Sequence, residues 1–318
     1  MANPDREDIH IISRHSNLSA SSIRTALREF VYSGKDAWQQ FLRIFFLSLG
    51  AGFMISGVIF FFAYNWDQLH KFVKLGIMEG LIILLTIGSL FIKNDLVRKI
   101  LLTTASMLIG VLFAVFGQVY QTGADAFDLF RNWMLCITIW VIVAEFAPLW
   151  VIWIALANIT AITYLQQRGQ HIPRLTPFLV LFLINTASLK LALLLKHKTA
   201  YKPPQWFIIL VAIAAAAFGT IGVSIGIFDP PDLVFSVLLT AVLLGFGAAT
   251  WYGLTQRSIF FLALTGCCVI VILCAAILNV SNDSGAILFI CLFLAIGITA
   301  LIKSLLILQK KWSYEKTA

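Results

Sequence analysis

Charge is what this chain has least of: charged residues make up 12% of its 318 residues, against 60% hydrophobic. A water-soluble globule carries about a quarter charged residues, so a soluble fold is excluded. Cysteine offers no chemistry either. Cys136, Cys267, Cys268, Cys274 and Cys291 show no CxxC spacing and no accompanying histidine pair, and all lie in apolar stretches. Thiols there pack as small hydrophobes, so neither disulfides nor a metal site is expected. Signatures of catalysis are missing as well: there is no HExxH, no GxSxG, no phosphate-binding loop and no pair of intramembrane aspartates. His10, His15, His70, His171 and His197 are scattered. A hydrolase using Asp67 or Glu79 as a base would lack a nucleophile, so the chain is read as a non-enzyme without a cofactor. The first 43 residues lack the early apolar core of a cleavable leader, and the first span is expected to serve as an uncleaved anchor.

What is abundant is uninterrupted apolar sequence. A spanning helix needs about 20 mostly apolar residues, because lipid offers no partner for unpaired backbone groups. Ten such runs are expected near 44–64, 72–92, 100–120, 132–147, 149–165, 175–195, 206–228, 233–253, 258–278 and 285–308. The runs are continuous, so helices are favoured over barrel strands. The fold class is therefore all-α, a polytopic helical membrane bundle. Residues 1–43 form a cytoplasmic amphipathic segment, 44–308 the transmembrane domain and 309–318 a cytoplasmic tail. The fourth and fifth runs are short and only Ala147-Pro148 separates them, which leaves open a hairpin that dips in and returns.

Lysine and arginine set the expected orientation, since positive loops stay on the cytoplasmic side. With the N-terminus inside, 18 of the 23 basic residues fall on the inner side; Lys71, Lys74, Arg131, Arg168 and Arg174 fall on the outer side. Both termini are thus expected in the cytoplasm of a cell with this protein in its inner membrane. The net charge of +8 follows from this bias and from attraction to anionic lipid, so no nucleic-acid partner is inferred. Trp38, Trp206, Trp251 and Trp312 near inner ends, with Trp66 and Trp133 near outer ends, suit the headgroup level. In the N-terminal segment, 19–32 reads as a short amphipathic helix with Ile23, Leu27, Phe30 and Val31 on one side and Gly34 as its stop. It is either a surface-lying collar or a docking module. A second helix, from Asp36, is expected to run straight into the first span. Gly222 with Gly226, and Ala249 with Gly253, have the spacing of close helix contacts.

Two polar patches interrupt this apolar pattern. The first, FFFAYNWDQLHKFVKLGIMEG from Phe60 to Gly80, puts Asn65, Trp66, Asp67, Gln68, His70 and Lys71 at the outer surface. Lys74 and Glu79 are carried into the second span. Glu79 lies about seven residues past its start, roughly 10 Å deep, where a carboxyl group must be paired, neutralised or facing water. Lys74 is five residues away, a poorer match than three or four, so a partner from another helix is expected. The second patch, FGQVYQTGADAFDLFRNW from Phe116 to Trp133, lies on the same side. Gln118 is still in the third span, Tyr120 and Gln121 are at its end, and Asp125, Asp128 and Arg131 occupy the connection at helical spacing. The ten candidate site residues are Asn65, Trp66, Asp67, Gln68, Glu79, Gln118, Tyr120, Gln121, Asp125 and Asp128, with roles in hydrogen bonding and charge pairing. The alternative is an outer cap whose polar groups hold loops together.

The strings AYNWDQ with its following K-x-G-x-x-E, and GQVYQTGADAFDLF with Trp133 just after, resemble the bacterial predicted membrane proteins grouped as domain of unknown function 2157. The resemblance covers the N-terminal segment and roughly the first five spans. It implies a polytopic inner-membrane protein with a short cytoplasmic N-terminal segment, and it supplies no activity, substrate or cofactor.

Two classes of function remain. A transporter suits ten spans arranged as inverted halves of five, yet the polar patches have no counterpart in the second half, where Asn185 and Ser188 are among the few polar groups deep in a span. A non-catalytic subunit or sensor would concentrate polarity at one end, as here, and would dock a membrane or periplasmic protein. The DPPD turn at 229–232 is either a rim for such a partner or a helix breaker. The lopsided polarity favours the second class, with lipid as the surrounding medium.

Overall fold

The computed structural model describes residues 9, 13, 19–27, 35–120, 125–169, 172–198, 202–280 and 284–317. They form a short helix α1 (Ala20–Ala26) and ten long ones: α2 (Lys35–Tyr64), α3 (Lys71–Phe91), α4 (Asp95–Tyr120), α5 (Ala126–Ala144), α6 (Ala147–Arg168), α7 (Thr176–Lys198), α8 (Gln205–Gly226), α9 (Leu233–Thr255), α10 (Ile259–Val280) and α11 (Ser284–Thr317). Each helix from α2 to α11 is long and apolar enough to cross a membrane, and no strand occurs among the described residues. The chain is a multi-pass helical membrane bundle.

Helix ends follow from local chemistry. Ser19 opens α1, its Oγ accepting from the Ser22 amide at 3.2 Å, which satisfies one of the orphan amides of a first turn. The expected continuation of α1 to 32 and its stop at Gly34 lie outside the described residues. α2 begins at Lys35 and runs into the first span without a break, as the sequence suggested. The fifth span differs from expectation. Ala147 and Pro148 do not separate α5 from α6 but open α6, where the missing proline amide costs nothing. The break is Glu145-Phe146, with Glu145 left-handed at φ 46°, the conformation that closes a helix. α5 likewise starts at Ala126, six residues before the expected 132, and its 19 residues with the 22 of α6 make both long enough to cross.

The chain divides into two compact units, 1–115 and 116–318. In the first, α3 buries Lys74, Met78, Ile82, Leu85 and Ser89, a stripe at the three- and four-residue spacing of one helix face. Ser89 of α3 and two hydroxyls of α4 turn back on their own helices: Ser89 Oγ donates to the Thr86 carbonyl, Thr104 to Ile100 and Ser106 to Leu102.

The second unit is held by close approach of helices. Lipid gives helices no hydrophobic reason to associate, so packing and interhelical hydrogen bonds must do it. Phe182 of α7 is buried between Gly219 of α8 and Gly245 of α9. Phe178, one turn earlier, packs against Gly222, and Gly226 faces Phe235 and Leu175. Gly266 of α10 accepts Leu301 of α11.

A polar contact joins α6 to α7. Asn185 is fully buried; its amide donates to the Asn158 side-chain carbonyl at 2.9 Å and to the Leu181 backbone at 2.8 Å, while Asn158 returns a bond of 3.3 Å. Replacing Asn158 alone with leucine strands a buried amide and should cost about 1–2 kcal/mol, whereas replacing both should cost less than the two single changes summed. A double-mutant cycle on the unfolding of the purified protein measures this. Additive losses would mean that the amides do not pair.

Candidate functional site

Each polar patch sits where one helix ends and another begins. In the first unit α2 stops at Tyr64 because Asn65 closes it: the side-chain Nδ2 donates to the Phe61 carbonyl at 2.9 Å and the backbone amide donates to the same oxygen at 3.0 Å. At the start of α3, His70 is the capping residue, with Nδ1 accepting weakly from the Phe72 amide at 3.5 Å. Trp66, between them, covers a cation. The Lys74 Nζ lies 3.7 Å from the centre of its ring, and Lys74 is buried. A desolvated ammonium over an indole face is a strong form of this attraction. Thus Asn65, Trp66 and His70 serve the fold.

Asp67 and Gln68 do not. Both are exposed on the turn, and no hydrogen bond from either side chain reaches another described residue. Glu79, two turns into α3, is also exposed, beside exposed Gly76, Gly80 and Ile83. The sequence anticipated a partner for it on another helix; among the described residues it has none.

In the second unit, Gln118 is exposed near the end of α4, and Tyr120 lies with its ring 4.7 Å from that of Phe116. Gln121 lies outside the described residues. Asp125 precedes α5 in extended conformation, is exposed, and makes no side-chain capping bond. Asp128, in the first turn, accepts from Arg131 at 3.0 Å. The three-residue spacing read from the sequence is realised, but inside α5 itself and not in a separate connecting helix. The arrangement is stable there because an aspartate in the first turn complements the positive end of a helix. The Arg131 guanidinium also lies 5.0 Å from the Phe127 ring, and that ring is 5.2 Å from Tyr164 of α6.

The DPPD turn is taken up by structure. Asp232 caps α9, its Oδ1 accepting from the Phe235 amide at 2.6 Å, and Asp229 pairs with Arg174 at 3.2 Å. Among the described residues no three His, Cys, Asp or Glu side chains come together as a metal site would require.

Sequence reasoning missed a lateral groove in the second unit. It lies between α5, α6 and α7, has a volume of about 660 Å³, and runs from Phe127 and Tyr164 to Trp153 and Leu191. Apart from the hydroxyl residues Thr160 and Ser188 its lining is alanine, methionine, aromatic and aliphatic, so in sequence it resembles any apolar helix face. The signal that could have pointed to it is the run of small residues Ala157, Thr160 and Ala161 at helical spacing.

Residues 18–150 match the model of a family described as predicted membrane protein, DUF2157. The match contains both strings on which the resemblance rested. No curated protein and no solved structure matches the chain.

Proposed function

We propose that this protein is a non-catalytic subunit or sensor of a bacterial inner membrane, whose outer ends dock a membrane or periplasmic protein. The observation behind this reading is how polar groups are used. Deep in the spans, the amides of Asn158 and Asn185 are consumed by the fold, each bonding the other. At the helix ends, Asn65, Trp66 and Asp232 are consumed as well. What is left presented is a small set of acids and amides: Asp67, Gln68 and Asp125, with Glu79 on an otherwise apolar helix face. The lysine and arginine bias supports an orientation with these ends on the outer side and both termini in the cytoplasm. Exposed acids that the fold does not use suit a partner with basic and hydrogen-bond-donating groups.

A transport role would call for uncommitted polar groups spread along several spans, and the mid-span amides here are paired with each other. The test is quantitative affinity purification from native membranes, comparing wild type with an Asp67→Ala, Asp125→Ala double variant at equal expression. Both positions are exposed, so stability should change by less than about 0.5 kcal/mol. A stoichiometric partner that falls away in the variant supports docking. A partner retained undiminished, or none with either protein, refutes it and directs attention to solute flux in proteoliposomes.

A further inference from the structure

α3 carries two seams. One, from Lys74 to Ser89, is buried. The other lies on the opposite side: Phe72, Gly76, Glu79, Ile83, Ile87 and Leu90 are all exposed, at spacings of four, three, four, four and three residues, the repeat by which one helix packs along another. At Gly76, and at Gly80 beside it, an added Cβ would meet nothing within 4 Å. Glycine there weakens the helix and answers no contact among the described residues, while in lipid small residues are what let two backbones come close. Spacing and glycines alone would describe a face that acyl chains could cover. Glu79 is the group that acyl chains cannot cover.

Its depth is fixed by the length of α3. The 21 residues of that helix rise about 31 Å, roughly the hydrocarbon thickness of a bilayer. Lys71 begins the helix, and Lys93, Asn94 and Asp95 follow it, so neither end can be drawn inward to bring Glu79 closer to the headgroups. Glu79 is eight residues past Lys71, roughly 12 Å along the axis. A carboxyl group there faces acyl chains unless something pairs with it, and Glu79 forms no ion pair or hydrogen bond among the described residues. Glutamate is too short to regain the surface, as lysine does by snorkelling.

The complement of this face is a cation at the same depth, and the described residues of this chain offer none. Lys74 is committed to the Trp66 ring, and Lys71 lies two turns nearer the surface, over Phe72. Arg131 is paired with Asp128. Lys190 and Lys303 are in the C-terminal halves of α7 and α11, whereas Glu79 is in the N-terminal half of α3, and with alternating spans these three helices cross in the same sense. A second copy of the chain is a poor occupant too. A parallel α3 would set Glu79 against Glu79, like charge against like.

We infer that this face of α3 seats a transmembrane helix of another membrane protein, packed closely at Gly76 and Gly80 and presenting a lysine or arginine to Glu79. The inference rests on the docking reading and narrows its partner to one with a membrane span. The test uses the full chain in phosphatidylcholine liposomes, with Ile83 replaced by the photoreactive benzoylphenylalanine. The probes are synthetic leucine–alanine helices of about 21 residues, each with one lysine, leucine or glutamate about 12 Å from one end. Cross-linking to the lysine peptide should exceed that to the leucine peptide roughly tenfold. Glu79→Leu should erase the preference, Glu79→Gln should reduce it to roughly a few-fold, and Glu79→Lys should reverse it in favour of the glutamate peptide. Gly80→Ile should lower the lysine adduct several-fold by holding the backbones apart; its side chain begins in open space, so the thermal melt should not change. Should Glu79→Lys not fold, the Glu79→Gln and Glu79→Leu comparisons decide. Equal yields for the lysine and leucine peptides, a preference that survives Glu79→Leu, or cross-links to a second copy of the chain in place of peptide adducts would each overturn the inference. Such a failure leaves the affinity result with Asp67→Ala, Asp125→Ala standing, and failure of that result leaves the peptide preference in place.

Discussion

Gly222→Ala should destabilise the second unit by about 3 kcal/mol, near the top of the range for overpacking, while Gly247→Ala should stabilise it by about 0.5–1 kcal/mol. The two substitutions add the same methyl group to long apolar helices, and only their surroundings differ. A Cβ at Gly222 would stand 2.6 Å from the Cβ of Phe178 and 2.9 Å from Leu238 Cδ2. The Leu238 methyl can swing aside; the Phe178 Cβ cannot, because it is tied to the backbone of α7. Relief requires α7 and α8 to separate, and with them the seat of Phe182 between Gly219 and Gly245. At Gly247 a Cβ meets nothing within 4 Å, so only the better helix propensity of alanine is felt. Gly226→Ala should fall between them, since its nearest neighbours are the Phe235 ring and a Leu175 methyl, which can rotate at some cost. Thermal unfolding of the purified variants checks the order. Equal behaviour at Gly222 and Gly247 would mean that α7 and α8 are not in close contact.

That contrast also marks how far the fold can be read in the sequence. The spacing of Gly222 and Gly226 signals a close contact, because both residues lie on one helix face. Gly219 and Gly245 give no such signal, since they meet only through Phe182 and lie on different helices. Spans are legible because bilayer thickness sets their length, and each helix from α2 to α11 carries one expected run, although the fourth, 132–147, overruns the end of α5 into the first residue of α6. The errors come where polar residues begin a helix. Asp125, Asp128 and Arg131 made the start of α5 look like a loop, although the last two neutralise each other within its first two turns. The same limit applies to the candidate site. Asn65, Trp66 and Asp67 are equally polar or amphipathic in sequence; only geometry shows that Asn65 closes α2 and Trp66 covers Lys74 while Asp67 is presented.

Trp66→Ala should cost about 3 kcal/mol, combining roughly 2 for a desolvated cation–π contact with the loss of part of the indole's buried area. The sequence set Lys74 beside Glu79, five residues along the same helix, but Glu79 is exposed and Lys74 is buried, with its ammonium 3.7 Å from the Trp66 ring centre. Among the described residues Lys74 forms no ion pair. Removing the ring therefore leaves a buried charge without compensation, which is the expensive case. The diagnostic is coupling. Lys74→Met keeps the length of the side chain and removes the charge, so in wild type it forfeits the contact, whereas in Trp66→Ala it relieves the uncovered ammonium. The double variant should then be more stable than Trp66→Ala alone by about 1–2 kcal/mol, a sign reversal that independent sites would not produce. Trp66→Phe should retain part of the wild-type stability, because a phenyl face attracts a cation less strongly than an indole. If Lys74→Met destabilises both backgrounds equally, Trp66 is a packing residue only, and the turn between α2 and α3 is held by Asn65 and His70 without help from the buried charge.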